Sequence, residues 1–180
     1  MLVTSQEFLP IYFTLLLCAT IERISNTFFQ KSTKIVGTIY YKWSFTVLFY
    51  SYIFIIIFSI VEYFIKVKLI NMQILIIGVL FYVLGASMRR SAINALGENW
   101  SVYIEIKENH QLVTTGVYEK IKHPYCFAVL LELIGICLVS NAYIALILVF
   151  LIQLPLLILR IRLEEMILLT HFGDKYKSIK

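Results

Sequence analysis

The chain has 180 residues, of which 60% are hydrophobic and only 15% are charged. Soluble domains are typically about 45–50% apolar and about 25% charged, so this composition argues against a soluble globular protein and favours a membrane-embedded one. The net charge is +5, but no Arg/Lys tract with interleaved aromatic residues indicates a nucleic-acid partner. The three cysteines, Cys18, Cys126 and Cys137, have no paired spacing and lie in or near apolar runs, which is typical of packing residues.

Five apolar runs are candidate membrane-spanning helices, for which about 17–25 residues are needed. In chain order they cover residues 8–20, 43–65, 69–88, 124–140 and 143–159. Because only a Ser-Asn pair separates the last two runs, we expect them to form an antiparallel helical hairpin. The N-terminal segment has neither a basic region nor a small-residue cleavage site, so we expect no cleaved signal peptide.

The distribution of basic residues predicts the orientation of the helices. The first loop, the polar segment 89–123 and the tail 160–180 carry fourteen Lys and Arg residues, whereas only Lys66 and Lys68 fall on the opposite side. Because basic residues favour cytoplasmic loops, we expect an outside N-terminus, five crossings and a cytoplasmic C-terminus. We therefore divide the chain into N-terminal transmembrane helices, residues 1–88, and a region that carries the chemistry on the cytoplasmic face, residues 89–180.

The fourth apolar run contains a histidine at its start and a carboxylate well inside it. Pro124 is typical of the first residue of a helix, where the N–H that proline lacks is not needed, so His123 should lie at the membrane entrance. Glu132 should then lie about 12 Å deeper, at about 1.5 Å per residue. A charge at that depth needs an interior position, a proton or a partner, and both structural hydrogen bonding and a pocket wall remain open for Glu132.

Charged residues also continue directly from the fifth apolar run. Arg160 and Glu164 are four residues apart, so they share a helix face and are expected to be able to pair, whereas Arg162 and Glu165 should point elsewhere. A surface ion pair is the simplest interpretation, but these charges lie at the predicted boundary between water and lipid. Apolar residues continue beyond them, so we expect the tail to be a helix that folds back over the cytoplasmic surface.

Three stretches, in this order, carry a family resemblance: LGENW at residues 96–100, HQLVTTGVYEKIKHP at residues 110–124, and RIRLEE with FGDKY between residues 160 and 176. Together they resemble the isoprenylcysteine carboxyl methyltransferase family, and they look closest to a bacterial-type branch with lipid-like acceptors. The resemblance runs from residue 96 to the C-terminus, whereas residues 1–88 match only as hydrophobic spans. It implies an all-α integral membrane enzyme that transfers a methyl group from S-adenosylmethionine to a carboxyl or hydroxyl group of a lipophilic or prenylated acceptor.

The resemblance also implies the site residues. Arg160 would be catalytic and face the acceptor. The cofactor would be bound by His110, Gln111, Leu112, Val113, Tyr118, His123, Pro124, Tyr125, Cys126 and Glu164. The chain departs from the family pattern where Lys122 replaces arginine, Cys126 replaces tyrosine and Ala128 replaces glycine. Either Tyr125 or Cys126 therefore takes the place of the motif tyrosine.

Methyl transfer from a sulfonium needs an aligned, dehydrated nucleophile and no metal, and the chain shows no zinc-ligand spacing or Gly-rich phosphate loop. Two other functions remain open. A membrane reductase of the sterol-reductase type also has an HP-containing segment after a polar loop, but it would need a nicotinamide cofactor and does not match the R-x-x-x-EE spacing. A non-catalytic membrane scaffold would account for the three departures from the family pattern.

Overall fold

The computed structural model describes residues 2–28, 37–107, 112–173 and 176. The helices of these residues are α1 (Ser5–Phe28), α2 (Lys42–Lys66), α3 (Met72–Leu96), α4 (Pro124–Val139), α5 (Tyr143–Leu148) and α6 (Leu154–Phe172). The strands are β1 (Leu2–Thr4), β2 (Thr38–Tyr40), β3 (Leu69–Asn71) and β4 (Ile104–Ile106). β1 pairs with β3 and β2 pairs with β4, both antiparallel. These three-residue ladders, which hydropathy does not predict, fasten the ends of the helices to one another.

The architecture confirms an all-α integral membrane protein. Four helices of the described residues are long and apolar enough to cross a membrane: Ser5–Ser25, Lys42–Lys66, Met72–Asn99 and Tyr143–Phe172. α4 is also apolar but has only 16 residues. Large apolar side chains are exposed along the outside of the bundle, as expected where lipid rather than water is the solvent.

Two helices extend further than hydropathy predicts, which corrects the position of three arginines. Arg23 lies inside α1 and not in the first loop, and Arg89 and Arg90 lie inside α3 and not in the polar segment. The predictions for Arg23 and Arg89 were wrong because both have carboxylate partners on other helices, so their charge does not end the helix. α3 ends instead at Gly97, whose φ of 51° is in the left-handed region.

The C-terminal hairpin is built from α4 and the helix that follows the turn at Ser140 and Asn141. α5 continues through a π-helical segment, Val149–Gln153, directly into α6, which ends at Gly173 with a φ of 56°. The predicted helix of the tail is confirmed up to Phe172, but over these residues it continues α6 directly and does not fold back. No residue between Pro155 and Gly173 interrupts the helix, so it continues beyond the membrane-spanning part.

α3 and α4 pack with their backbones in close contact. A Cβ atom added to Gly135 would lie 2.6 Å from the backbone nitrogen of Tyr82, and one added to Gly78 would lie 2.6 Å from that of Val139. At the other end, a Cβ atom on Gly85 would meet the carbonyl oxygen of Ala128 at 2.9 Å. Glycine is therefore required along this contact, which brings Glu132 on α4 against α3.

The hairpin is fixed by a carboxylate at the start of α5. Glu62 on α2 is buried, and its two oxygens accept hydrogen bonds from the backbone nitrogens of Ile144 at 3.0 Å and Ala145 at 2.8 Å. These N–H groups have no acceptor within the helix because they belong to its first turn. Glu62 satisfies them and also places a negative charge at the positive end of the helix.

Candidate active site

A cavity of about 200 Å³ lies between α2, β4, the segment before α4, and α6. Eight of the residues implied by the family resemblance line it: Leu112, Val113, Tyr118, His123, Tyr125, Cys126, Arg160 and Glu164. Pro124 is the first residue of α4 and is fully buried, but it does not line the cavity. His110 and Gln111 lie outside the described residues. The fold thus brings two stretches that are distant in the sequence to one cavity.

His123 forms the contact between these two stretches. Its Nδ1 atom lies 3.8 Å from Oε2 of Glu164, and its Nε2 atom lies 3.3 Å from Oε1 of Glu165. The prediction that Glu165 points elsewhere is wrong, because both carboxylates reach the same imidazole ring. The Glu164 side chain remains 37% exposed, so its oxygens are open to a bound molecule.

Arg160 is held in the cavity wall by partners from other parts of the chain. The residue is only 9% exposed, and its guanidinium donates to Oγ of Ser44 at 2.7 Å and to the carbonyl oxygen of Val102 at 3.0 Å. The Arg160–Glu164 ion pair that the spacing allows is not among the ion pairs of the described residues, in which Glu164 contacts His123. Two fixed hydrogen bonds orient this planar cation, so it is suited to binding an oxygen of a ligand.

Aromatic side chains enclose the end of the cavity near Glu164. Burial raises the pKa of the Tyr118 hydroxyl, and the nearby Glu164 carboxylate raises it further. Burial, with Glu165 and Glu164, raises the pKa of Tyr176 to about 12. Both hydroxyls therefore stay protonated at neutral pH and can donate hydrogen bonds. Tyr176 was not among the predicted site residues, although the FGDKY motif contains it.

Both candidates for the position of the motif tyrosine, Tyr125 and Cys126, line the cavity. The rings of Trp100 and Tyr125 lie 4.7 Å apart between centroids, and both residues line the cavity. Cys126 lines it as well but is a buried free thiol. Tyr125 therefore supplies an aromatic ring beside Trp100, a residue of the LGENW motif that the predicted site did not include.

Apolar side chains of α2 and α6 form another part of the cavity lining. Phe45, Leu48, Phe49 and Leu157 belong to it. Phe49 is 41% exposed, so this part of the lining is not fully enclosed.

Glu132 belongs to a buried charge network and does not line the cavity. Its Oε1 atom accepts a hydrogen bond from Nε of Arg89 at 2.6 Å, and its Oε2 atom pairs with Arg23. Arg89 also pairs with Glu22, so two carboxylates and two guanidinium groups balance one another across three helices. Of the two interpretations left open by the sequence, the structure supports hydrogen bonding inside the bundle.

The sequence model of the isoprenylcysteine carboxyl methyltransferase family matches residues 75–170, which is more than half of the chain. The chain belongs to this family. The matched range of this family member contains most of α3, the hairpin, His123, Arg160 and Glu164, whereas α1 and α2 lie outside it.

The Protein-S-isoprenylcysteine O-methyltransferase of Schizosaccharomyces pombe is 29% identical to this chain over 102 residues. The match covers 56% of this chain and 43% of the relative, so the chain spans less than half the length of that protein. The assignment to a bacterial-type branch stays a prediction.

Proposed function

We propose that this family member is an O-methyltransferase that uses S-adenosylmethionine to methylate a carboxyl or hydroxyl group of a lipophilic acceptor in the membrane. The observation that carries the proposal is the meeting of His123, Glu164 and Arg160 at one cavity, whose lining also contains apolar side chains of α2. Family membership does not favour the alternatives of a sterol-type reductase or a non-catalytic scaffold.

The end of the cavity near Glu164 is suited to the cofactor. S-adenosylmethionine, when bound, supplies an electrophilic methyl group on a sulfonium, and it also carries an ammonium and ribose hydroxyl groups. Glu164 offers a partly exposed carboxylate for these positive and hydroxyl groups. Leu112, Val113 and Tyr118 enclose the same end. In this proposal His123 positions Glu164 and closes the wall between the polar segment and α6.

We assign to Arg160 the role of binding and orienting the acceptor. Its guanidinium faces the cavity from the wall between the cofactor end and the apolar side. It would orient the acceptor oxygen by charge-assisted hydrogen bonds, so that the oxygen is aligned with the methyl group of the cofactor. The surrounding apolar side chains exclude water, which strengthens these interactions and removes a competing nucleophile.

The acceptor would enter from the lipid phase. Phe49 of the apolar helix α2 lines the cavity and is 41% exposed, so movement of this side chain would open a route between the cavity and lipid. The name of the fission yeast relative suggests a prenylated cysteine as one acceptor class, and the bacterial-type prediction suggests a free lipid. We further propose a cytoplasmic active site, because the basic bias toward that side remains after Arg23, Arg89 and Arg90 are removed from the count.

The proposal is tested by incubating the purified full-length chain with S-adenosylmethionine labelled in its methyl group and with lipids extracted from membranes. We expect label to appear in the organic phase, and base treatment to release it if the product is a methyl ester. Absence of labelled lipid, together with absence of cofactor binding, would overturn the proposal.

A further inference from the structure

Two polar contacts connect α2 with the last helix at two different depths. Ser44 accepts a hydrogen bond from Arg160 at 2.7 Å, and Oγ of Ser51 lies 2.7 Å from Oε1 of Gln153. Ser51 lies seven residues after Ser44 in α2, and Gln153 lies seven residues before Arg160 in the last helix. At about 1.5 Å per residue, the second contact lies about 10 Å deeper than the first. Because both Arg160 and Gln153 line the cavity, it has a second polar region well below the assigned methyl acceptor site.

One half of the Gln153 amide, either its NH₂ or its carbonyl group, has no hydrogen-bond partner among the described residues. The residue is 1% exposed, lies at the end of the π-helical segment, and lines the cavity. Oγ of Ser51 is also 3.0 Å from the carbonyl oxygen of Leu48, and a hydroxyl has only one proton to donate. Whichever acceptor Ser51 chooses, Gln153 keeps either its NH₂ or its carbonyl group without a hydrogen bond among the described residues. A π-helical segment at this position is typical of a functional site.

Arg23 and Tyr52 lie at the same depth. The guanidinium of Arg23 is 4.0 Å from the centre of the Tyr52 ring, and Tyr52 follows Ser51 directly in α2. Both residues line the cavity. Arg23 uses Nη1 to pair with Glu132, and its side chain keeps 24% exposure. Among the described residues, neither its other two nitrogens nor the Tyr52 hydroxyl makes a hydrogen bond, so further donors are available here.

The cavity wall between the two polar regions is apolar. Leu157 lies on α6 between Gln153 and Arg160, while Leu48 and Val129 contribute from α2 and α4. A ligand that extends from Arg160 to Gln153 therefore passes through an apolar section and then meets polar groups again. A plain hydrocarbon chain would leave those groups unpaired in a dry site, which disfavours its binding there.

We propose that Arg23, Tyr52 and Gln153 form a subsite, the inner polar subsite, that binds an oxygen-bearing group at the far end of the acceptor. The subsite selects amphiphiles with two oxygen functions separated by an apolar span of about 10 Å, the helical rise between Gln153 and Arg160. A hydroxyl or carbonyl satisfies the free amide group of Gln153 and accepts from Arg23. The inference rests on the proposed function, because it takes Arg160 as the site of the methylated oxygen.

The test compares decanoic acid with ω-hydroxydecanoic acid, two probes that differ only by a terminal hydroxyl and whose extended chains span the distance between the two polar regions. Binding to the purified full-length chain is followed by tryptophan fluorescence, since Trp100 lines the cavity. We expect the hydroxylated probe to bind at least about 5-fold more tightly, as one added hydrogen bond in a dry site provides. Binding of S-adenosylmethionine is measured on the same samples.

Two variants test whether Gln153 and Arg23 cause the preference for the hydroxylated probe. In Gln153→Leu, which keeps the side-chain volume, the preference should fall below about 2-fold, because decanoic acid no longer leaves the Gln153 amide unpaired. Arg23→Lys keeps the charge beside Glu132 but loses the fork of donors, so it should weaken the preference as well. Gln73→Leu, the same change at an exposed residue at the start of α3, is the matched control and should keep the wild-type preference.

The outcomes separate the two proposals. If the wild type binds S-adenosylmethionine but binds neither probe, or binds both equally, the inner polar subsite is wrong and the proposed function stands. An unchanged preference in Gln153→Leu also overturns the subsite. A clear preference without any binding of S-adenosylmethionine supports a polar subsite in the cavity and removes the proposed methyl transfer.

Discussion

Nδ1 of His123 lies 3.8 Å from the carboxylate of Glu164, although the first residue precedes α4 and the second lies in α6. The C-terminal hairpin makes this contact possible, because it returns the chain to the level at which α4 begins. Glu165 approaches Nε2 of the same ring at 3.3 Å. The imidazole thus holds the polar segment against the tail, and the cavity of the candidate active site is enclosed between them.

Glu164 is expected to carry much of the cofactor affinity. Glu164→Gln keeps the size of the side chain but removes the charge, so the affinity for S-adenosylmethionine should fall at least about 10-fold, the usual difference between a charge-assisted and a neutral hydrogen bond in a partly dry site. Isothermal titration calorimetry measures the change. Glu119→Gln, an exposed glutamate in the turn before α4, is the control and should bind as the wild type does. Equal affinities for all three proteins would remove Glu164 from the cofactor site.

Arg160 is expected to act on turnover and not on cofactor binding. Arg160→Lys keeps the charge but cannot hold Ser44 and Val102 while also reaching a ligand, so kcat should fall about 100-fold, as expected when the reacting oxygen is misaligned by about 1 Å. The affinity for S-adenosylmethionine should change little. Label transfer to the acceptor gives kcat, with exposed Arg162→Lys as the matched control. A loss of cofactor affinity with unchanged kcat would contradict this assignment.

The buried charge network makes a prediction about stability. Glu132→Leu leaves Arg89 and Arg23 without their shared carboxylate, which should cost about 3–5 kcal/mol of unfolding free energy. The double variant Glu132→Leu with Arg89→Leu leaves Arg23 and Glu22 as one charge of each sign, so it should be more stable than the single variant. Thermal unfolding in detergent compares the three proteins. A double variant less stable than the single one would mean that charge balance does not hold these helices.

Glu62 should stabilise the start of α5. Glu62→Gln retains only one acceptor for the two backbone N–H groups of Ile144 and Ala145, so the unfolding free energy should fall by about 1–3 kcal/mol. Glu119→Gln again serves as the exposed control. The loss is expected in thermal unfolding, while binding of S-adenosylmethionine to the folded fraction stays unchanged. A variant as stable as the control would show that water satisfies these N–H groups equally well.

The sequence predicts the helices well because hydropathy acts along contiguous stretches. Eight of the predicted site residues line the cavity, since the family motifs place Tyr118, His123 and Glu164 within two short segments. The sequence does not predict the helical positions of Arg23 and Arg89. Their partners lie on other helices, and the pairing of charges across a bundle leaves no periodic signal in the sequence.

The inner polar subsite is also not predictable from the sequence, because its residues are brought together only by contacts between helices. Gln153 belongs to an apolar run in the sequence, and nothing near it indicates a binding residue. Its position depends on the π-helical segment and on the contact with Ser51, more than a hundred residues earlier in the chain. Such a juxtaposition follows from the packing of α2 against α6, which hydropathy does not specify.

Hydrogen exchange of the purified protein with and without S-adenosylmethionine shows directly whether the polar segment and the tail bind the cofactor together. We expect slower exchange in residues 112–126 and in residues 160–168 at the same time, because both segments enclose the cofactor. We also expect Glu164→Gln to reduce this protection in both segments at the same cofactor concentration. Protection confined to one segment, or found only in α1 and α3, would contradict a cofactor site between the polar segment and the tail.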